Sequence, residues 1–225
     1  MRKGSALHAL LLGGESRVVL YPGRRAGNAW KEFQAAHQGR HIVVNDKEYQ
    51  AAVGMRRAIE RHKRALDLLD DGVQETRITW TINGRACAGT PDVVKPARGR
   101  KRLVELKACH NVKPDKFRWH LDSMHYHAQL DWYSHGLEQC TAYEPGDVDE
   151  AYIVAVGMKR PHPVVIYRVH DSMLAQGRAR WQHWFAQLLE CERTGRFPGY
   201  VDEGAVIDVD DDGPDGLGLD WAASE

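Results

Sequence analysis

The chain has 225 residues, 43% of them apolar, and no apolar run approaches the roughly 18 residues that a membrane span needs. This length favours a single α/β-sized domain, and we expect a cytoplasmic protein without a membrane segment. The formal net charge of zero conceals an asymmetry, because residues 1–135 hold 24 Lys and Arg against 14 Asp and Glu, whereas residues 136–225 hold 7 against 17. The front half could therefore hold a polyanion, although such charge runs often only face solvent.

The four cysteines are widely spaced and form no CxxC pair. This spacing fits neither a zinc ribbon nor a disulfide framework, and it indicates reduced thiols, which are usual in the cytoplasm. The histidines between residues 120 and 135 offer a poor zinc site, because His125 and His127 cannot share one helix face.

The first clear element is a helix over residues 45–72. Asn45 stands at the N-cap with Glu48 at the capping-box position, apolar residues follow at helical spacing, and Gly72 ends the pattern. Residues 75–94 then alternate in polarity around Asn83-Gly84, which is a strong hairpin signal. Residues 101–108, KRLVELKA, follow as a third strand of a meander.

The second half of the chain continues with helices and strands. Asp122 is predicted to cap a helix over residues 123–139, residues 151–157 and 163–169 are predicted to be strands, and Asp171 is predicted to cap a helix that ends near Glu192. This order predicts an α/β fold in which a central mixed β-sheet is flanked by helices. We expect one domain over residues 1–200, followed by an acidic tail over residues 201–225.

Two carboxylates and a lysine belong to the predicted meander. Because strand side chains alternate between faces, Glu105 and Lys107 point to the same side of their strand. Pairing with the preceding strand could bring Asp92 near Glu105, and two carboxylates held close together favour a hard cation such as Mg²⁺ or Mn²⁺. A lysine beside such a cation can position water or neutralise charge on a phosphate. A surface salt bridge on an exposed sheet face is the alternative.

Two helices carry further candidates. His62 falls on the apolar stripe of the first helix between Ile59 and Leu66, so its imidazole is a possible metal ligand or an ordinary core histidine. On the later helix, Gln129 and Tyr133 share one face with Tyr126, where they could equally be core residues.

Together these residues resemble the PD-(D/E)XK nuclease superfamily, through TPD at residues 90–92 and ELK at residues 105–107. QLDWY at residues 129–133 matches the Q-xxx-Y motif of its RecB-like and RecE-like exonuclease branch. The motif order, from RRAGNAW at residues 24–30 to FPGY at residues 197–200, is similar to the phage-type exodeoxyribonucleases related to RecE and, more distantly, to lambda exonuclease. The resemblance implies a restriction-endonuclease-like core.

The resemblance also implies roles for individual residues. Asp92 and Glu105 would hold Mg²⁺, with Mn²⁺ possible and two ions expected, together with His62 and the backbone carbonyl of Leu106. Lys107 would handle the attacking water. Gln129 and Tyr133 would brace the site or touch the DNA. Glu75 could be a supporting acid or a solvated one, and Arg24 and Arg25 are candidates to grip a terminal 5′ phosphate.

The function implied is a Mg²⁺-dependent exodeoxyribonuclease that degrades the 5′ strand of linear duplex DNA and leaves 3′ overhangs for recombination. Relatives form rings around DNA, which implies a homo-oligomer, a trimer or tetramer, working with a single-strand annealing protein. The alternatives are an endonuclease on the same scaffold, restriction-like or structure-specific, and a non-catalytic DNA-binding or partner-binding module. An acidic tail that docks a basic partner is a further possibility.

Overall fold

The computed structural model describes residues 2–13, 17–37, 39, 41–97, 100–140 and 148–199. By its internal contacts the chain divides into Met1–Gln182 and His183–Glu225. The first unit contains every strand described below, and the second contains the end of the last helix. The predicted acidic tail lies outside the described residues, so the domain boundary at residue 200 stays a prediction.

The described residues form seven helices. They are α1 (Arg2–Leu11), α2 (Gly27–His37), α3 (Asp46–Glu60), α4 (Lys63–Leu69), α5 (Pro114–Ser123), α6 (Tyr126–Gln139) and α7 (Asp171–Thr194). No helix among them is long and apolar enough to cross a lipid bilayer.

The strands of the described residues form three sheets. They are β1 (Val18–Leu20), β2 (Ile42–Val44), β3 (Val73–Gln74), β4 (Ile78–Ile82), β5 (Arg85–Gly89), β6 (Val93–Ala97), β7 (Arg100–Cys109), β8 (Val148–Gly157) and β9 (Val164–Val169). The main sheet has the order β3-β6-β7-β8-β9, while β1 pairs with β2 and β4 pairs with β5. Only β7 and β8 are parallel in the main sheet, so the sheet is mixed, and the predicted α/β class is confirmed.

The long helix predicted over residues 45–72 is two helices. Its start is as predicted, because the Glu48 amide donates to Asn45 Oδ1 and the Asn45 amide donates to Glu48 Oε2, both at 2.9 Å. The helix ends at Glu60, and His62 has an extended backbone from which its side chain caps α4. Because the helix breaks here, the residues after His62 are no longer at helical spacing from those before it. His62 therefore does not belong to the apolar stripe of one continuous helix.

The hairpin at Asn83-Gly84 is confirmed, with both residues at positive φ in a two-residue turn. It forms a separate two-stranded sheet, so the predicted three-strand meander is wrong at this point. The antiparallel partner of β7 is β6, whose Val93 lies opposite Val104. The predicted site needed the Asp92 segment to pair with the Glu105 strand, and this pairing is present.

The helix predicted to start after Asp122 begins three residues later. Pro114 starts an unpredicted helix, α5, and Asp122 lies within it. His125, at a left-handed φ of 54°, separates α5 from α6. The two later strands and the last helix are present, although β8 begins at Val148 and Asp171 is the first residue of α7 instead of its cap. The side chain that accepts an amide at the start of α7 is His170, which accepts the Ser172 amide at 3.2 Å.

The main sheet has a buried core on the side where α1, α3 and α4 pack. This cluster includes Leu7, Met55, Ile59, Val104 and Leu106. On β7, Leu103 and Glu105 alternate with these residues and therefore point to the other side, where Lys107 meets α6. The alternation predicted for this strand is thus confirmed, and it directs the charged residues away from the apolar cluster.

Candidate active site

Asp92 and Glu105 are locked together by the backbone of their paired strands. The Asp92 amide donates to Glu105 Oε1 at 3.2 Å, and the Leu106 amide donates to Asp92 Oδ2 at 2.7 Å. Asp92 is 8% exposed and Glu105 is 1% exposed. The sheet therefore holds two carboxyl groups side by side and almost out of solvent, which is costly unless a positive charge compensates them.

Lys107 supplies part of that compensation and ties the carboxylates to α6. Its ammonium group donates to Glu105 Oε2 at 2.8 Å and to Gln129 Oε1 at 3.0 Å. The Gln129 amide then donates to the Tyr133 hydroxyl at 3.0 Å. Gln129 and Tyr133 are four residues apart, so they lie one above the other on the helix. The structure thus joins these three predicted residues to Glu105 in one hydrogen-bonded series.

Tyr126 is a further contact of the lysine that was not assigned to the site from sequence. The Lys107 ammonium lies 4.8 Å from the centre of its ring, which is a cation–π distance. The Tyr126 hydroxyl lies 3.3 Å from His120 Nε2. Its position three residues before Gln129 on the same helix face was the available signal.

The histidine at the site is His8 of α1 and not His62. His8 Nδ1 lies 3.3 Å from Asp92 Oδ1, and His8 Nε2 lies 2.8 Å from the Leu106 carbonyl oxygen. His62 is engaged elsewhere, because its Nδ1 accepts the Ala65 amide at 3.2 Å. The contacts thus place a different helix histidine, His8, beside Asp92 and Leu106, and the assignment of His62 as a metal ligand stays a prediction that these contacts do not support.

The pKa values of these groups depend on one another. Burial and, after it, the neighbouring Asp92 charge raise the pKa of Glu105 to about 7 against the opposing effect of Lys107. Burial also raises the pKa of Asp92, but the hydrogen bond and charge of His8, followed by the charge of Lys107, outweigh burial and lower it. One carboxyl of the pair is therefore readily ionised, while the other resists ionisation.

The pKa values of the two basic partners, His8 and Lys107, are both raised. Burial lowers the pKa of His8, but its hydrogen bond to Asp92 and the Asp92 charge outweigh burial and raise it. Burial lowers the pKa of Lys107 as well, and the charges of Glu105 and Asp92 more than offset that effect. The negative charge of the pair therefore attracts and retains positive charge.

The two arginines proposed for a 5′ phosphate do not contact these residues. Arg25 donates to both carboxylate oxygens of Glu48, at 3.1 and 2.5 Å, and to the Val43 carbonyl oxygen at 3.2 Å. It therefore braces the start of α3. Arg24 is exposed, and only its backbone carbonyl has a hydrogen bond among the described residues.

A cavity of about 400 Å³ opens beside His8. Arg17 and Glu75 line it, with their charged groups 3.8 Å apart. Glu75 has a positive φ of 43°, and its amide donates to the Asp92 carbonyl oxygen at 3.0 Å. The strained Glu75 backbone is thus held by the residue before β6, and its side chain faces the cavity next to the carboxylates.

The donor set suits a divalent cation of the magnesium class. Two carboxylates, one carbonyl oxygen and one imidazole come together at Asp92, Glu105, Leu106 and His8. Among the described residues, no three His, Cys, Asp or Glu side chains already stand in the geometry of a metal cage. His8 contacts both Asp92 and the Leu106 carbonyl, so a cation would have to replace those contacts.

The fold and these residues define a PD-(D/E)XK-type nuclease domain. A family model described as "PDDEXK-like domain of unknown function (DUF3799)" matches residues 1–209, and the chain belongs to this family. The superfamily predicted from TPD, ELK and QLDWY is therefore confirmed.

One solved structure agrees on the fold. A protein from Eubacterium rectale described as a "putative exonuclease" aligns with 92% of this chain and 75% of its own chain, at 16% identity and a TM-score of 0.61. A second structure, that of SSO0001, aligns with 88% of each chain at 11% identity, but its TM-score of 0.37 supports no argument. The comparison with curated proteins gives no match.

Proposed function

We propose that this protein is a Mg²⁺-dependent exodeoxyribonuclease that degrades the 5′ strand of linear duplex DNA and releases 5′ mononucleotides. The observation that carries the proposal is the unbroken series of contacts from His8 through the two carboxylates to Lys107, Gln129 and Tyr133. A surface salt bridge, the alternative considered for the acids and the lysine, would not bury Glu105.

Asp92, Glu105, the Leu106 carbonyl and His8 are the groups that would hold the metal, and we expect Mg²⁺, with Mn²⁺ as a substitute and two ions in the working enzyme. The bound metal would acidify a water molecule and stabilise negative charge on the scissile phosphate. The protein supplies the converging ligands for it, and their repulsion in its absence is the driving force for binding.

Lys107 is placed to act on the reacting groups. Its ammonium is fixed by Glu105 and Gln129 at the edge of the carboxylate pair, where it can hold the attacking water or neutralise charge that develops on the phosphate. Gln129 and Tyr133 position that ammonium from α6, and the Tyr133 hydroxyl is close enough to the same edge to touch the DNA strand.

The exonuclease assignment rests on the Q-xxx-Y motif and on the RecE-like order of motifs, and the description of the Eubacterium rectale protein supports it. We further propose that the protein works in the cytoplasm as a homo-oligomeric ring, a trimer or tetramer, and hands the 3′ overhang to a single-strand annealing protein for recombination. Arg24 remains a candidate to grip the 5′ phosphate, whereas Arg25 would first have to leave Glu48.

The test is digestion of linear duplexes labelled at either end, with and without a 5′ phosphate, in Mg²⁺ and in EDTA. We expect Mg²⁺-dependent release of mononucleotides from the 5′ end, and we expect closed circular plasmid to survive. Lys107→Met should abolish digestion. Lys95→Met is the matched control, because Lys95 lies on the neighbouring strand and pairs with Asp67 at 3.7 Å.

Other results would select the alternatives. Cleavage of the closed circle would identify an endonuclease on the same scaffold. A preparation that binds DNA without digesting it would point to a DNA-binding module with an inactive site. A Lys107→Met protein as active as the wild type would mean that the digestion comes from a contaminating nuclease and would point to the same module.

A further inference from the structure

The helix α5 carries a large aromatic side chain in solvent. Phe117 and Leu121 form its buried face, whereas Trp119 is 73% exposed, and Met124 just beyond the helix is 54% exposed. Trp119 lies on the opposite side of the helix from the buried pair, since it is two residues from each. The indole therefore leaves a large aromatic face open to a ligand.

The helix that carries the indole is fixed in place by its contacts with β9. The Phe117 ring stacks on Tyr167 of β9, with ring centres 4.1 Å apart and planes 7° apart. The Tyr167 hydroxyl donates to the Val112 carbonyl oxygen just before α5. A preorganised platform loses little entropy when a ligand binds.

One flank of the helix connects this indole to the active site. His120 follows Trp119 directly, and its ring meets the Tyr126 hydroxyl, whose own ring covers the Lys107 ammonium at 4.8 Å. Lys116 lies one turn before His120 on the same flank and is exposed. The contacts through His120 and Tyr126 therefore link the helix that carries the indole to the lysine of the active site.

The other flank differs in charge. Arg118 is exposed there, but so is Asp122, which accepts a hydrogen bond from Arg180 at 3.2 Å. By helical spacing Arg118 and Lys116 lie on opposite sides of the indole. Replacing Lys116 or Arg118 therefore tests each flank separately.

We propose that α5 binds a single-stranded segment of the DNA beside the active site, with an unpaired base stacked on Trp119 and a neighbouring phosphate on Lys116. This inference rests on the proposed function and assigns it a surface for the unpaired strand. A free base face is what an exposed indole stacks against, whereas bases inside a duplex are already stacked. Lys116, on the flank that leads to the active site, suits a phosphate, whereas Arg118 on the other flank is accompanied by the exposed Asp122.

The experiment measures binding of fluorescent oligothymidylate and of a blunt duplex in EDTA, where metal-dependent cleavage is blocked. Trp119→Ala should weaken oligothymidylate binding about 5- to 150-fold, and Trp119→Phe should recover part of that loss. Binding of the blunt duplex should change much less. Lys116→Ala should reduce the salt dependence of single-strand binding by about 0.7 in the log–log slope, whereas Arg118→Ala should leave it closer to that of the wild type.

Equal oligothymidylate affinity of Trp119→Ala and the wild type would overturn the inference. So would a changed oligomeric state of Trp119→Ala in sedimentation with unchanged DNA binding, because the surface would then be an interface between copies. The binding assay needs no catalysis. Loss of single-strand binding in Trp119→Ala would therefore support this surface even if the wild type failed to digest DNA, and that failure would count against the nuclease proposal alone.

Discussion

The buried carboxylate pair should make the metal-free protein less stable as the pH rises, and Glu105→Gln should remove that effect. The pKa of Glu105 is raised from 4.5 to about 7 in the folded protein. Below 4.5 the carboxyl is protonated in both states, and it has no effect. Between 4.5 and about 7 it ionises in the unfolded chain first, which favours unfolding.

The size of the effect follows from these two values. A carboxyl with pKa values of 4.5 unfolded and about 7 folded destabilises the protein by about 0.8 kcal/mol at about pH 5 and by about 3.3 kcal/mol at about pH 8. Glutamine has nearly the shape of protonated glutamate and does not ionise. The stability gained by Glu105→Gln should therefore grow by about 2.5 kcal/mol between those pH values. The difference between the two proteins cancels the titrating groups that do not interact with Glu105.

Urea unfolding in EDTA at the two pH values measures this difference. Glu48→Gln is the control, because the Arg25 hydrogen bond, partly opposed by burial, lowers the pKa of Glu48 below 4.5. Its stability contribution is therefore complete above 4.5 and is lost only in acid, so Glu48→Gln should destabilise the protein equally at both pH values. A stability gain for Glu105→Gln that is the same at both pH values would refute the reasoning.

Three further predictions follow from contacts of single residues. Tyr126→Leu should lower kcat by about 2- to 30-fold through loss of the cation–π contact, while Tyr126→Phe should retain most activity; equal rates for both variants would contradict this role. His8→Ala should weaken Mg²⁺ binding measured by calorimetry. His62→Ala should cost about 1 kcal/mol of stability in urea and leave Mg²⁺ binding intact. Weaker Mg²⁺ binding in His62→Ala and not in His8→Ala would instead support His62 as the ligand. Gly177→Ala should lower the free energy of unfolding by about 1–3 kcal/mol, because its methyl group would lie 2.4 Å from the His127 carbonyl oxygen. Gly4→Ala, whose methyl group would meet only Ala108 at 3.7 Å, should be neutral or stabilising.

The sheet half of the site could be predicted from sequence because its geometry is local. Glu105 and Lys107 share a face through simple alternation, and Asp92 reaches them through the pairing of two strands adjacent in sequence. The Asn45 capping box and the Asn83-Gly84 turn are local for the same reason. Each depends on residues within a few positions of one another.

The predicted helix boundaries near His62 and Asp122 are wrong because a local signal for a helix end or start was weaker than the pattern around it. The apolar period through residues 45–72 continues past His62 without Gly or Pro, but a side chain that bonds to a nearby amide can interrupt a helix. In the later region Pro114 is a helix start signal, and Asp122, although aspartate is a common N-cap, lies within the helix that Pro114 begins.

His8 could not be assigned from pattern because its partners are distant in the chain. It lies 98 residues before Leu106, and its helix has an apolar sequence that indicates burial without naming what it packs against. The signal present was one imidazole among Ala6, Leu7, Ala9 and Leu10, all of them buried. A histidine in such a run needs polar partners, and only the packing of α1 on the main sheet shows which ones it has.

His8, and not His62, lies beside Asp92, and this shows that the helix residues of the site are harder to predict from sequence than its strand residues. A rule about helix faces holds only while the helix is continuous, so one extended residue at position 62 was enough to remove that histidine from the stripe. The carboxylates tolerate no such freedom, because the backbone amides of both strands hold their oxygens. The positive charge around them must then come from whichever helices pack against the sheet, α1 with His8 on one side, while α6 orients Lys107 on the other. In related chains, the histidine that accompanies the two carboxylates should therefore be sought on the helices that pack against the strands of the Asp and the Glu, wherever those helices lie in the sequence.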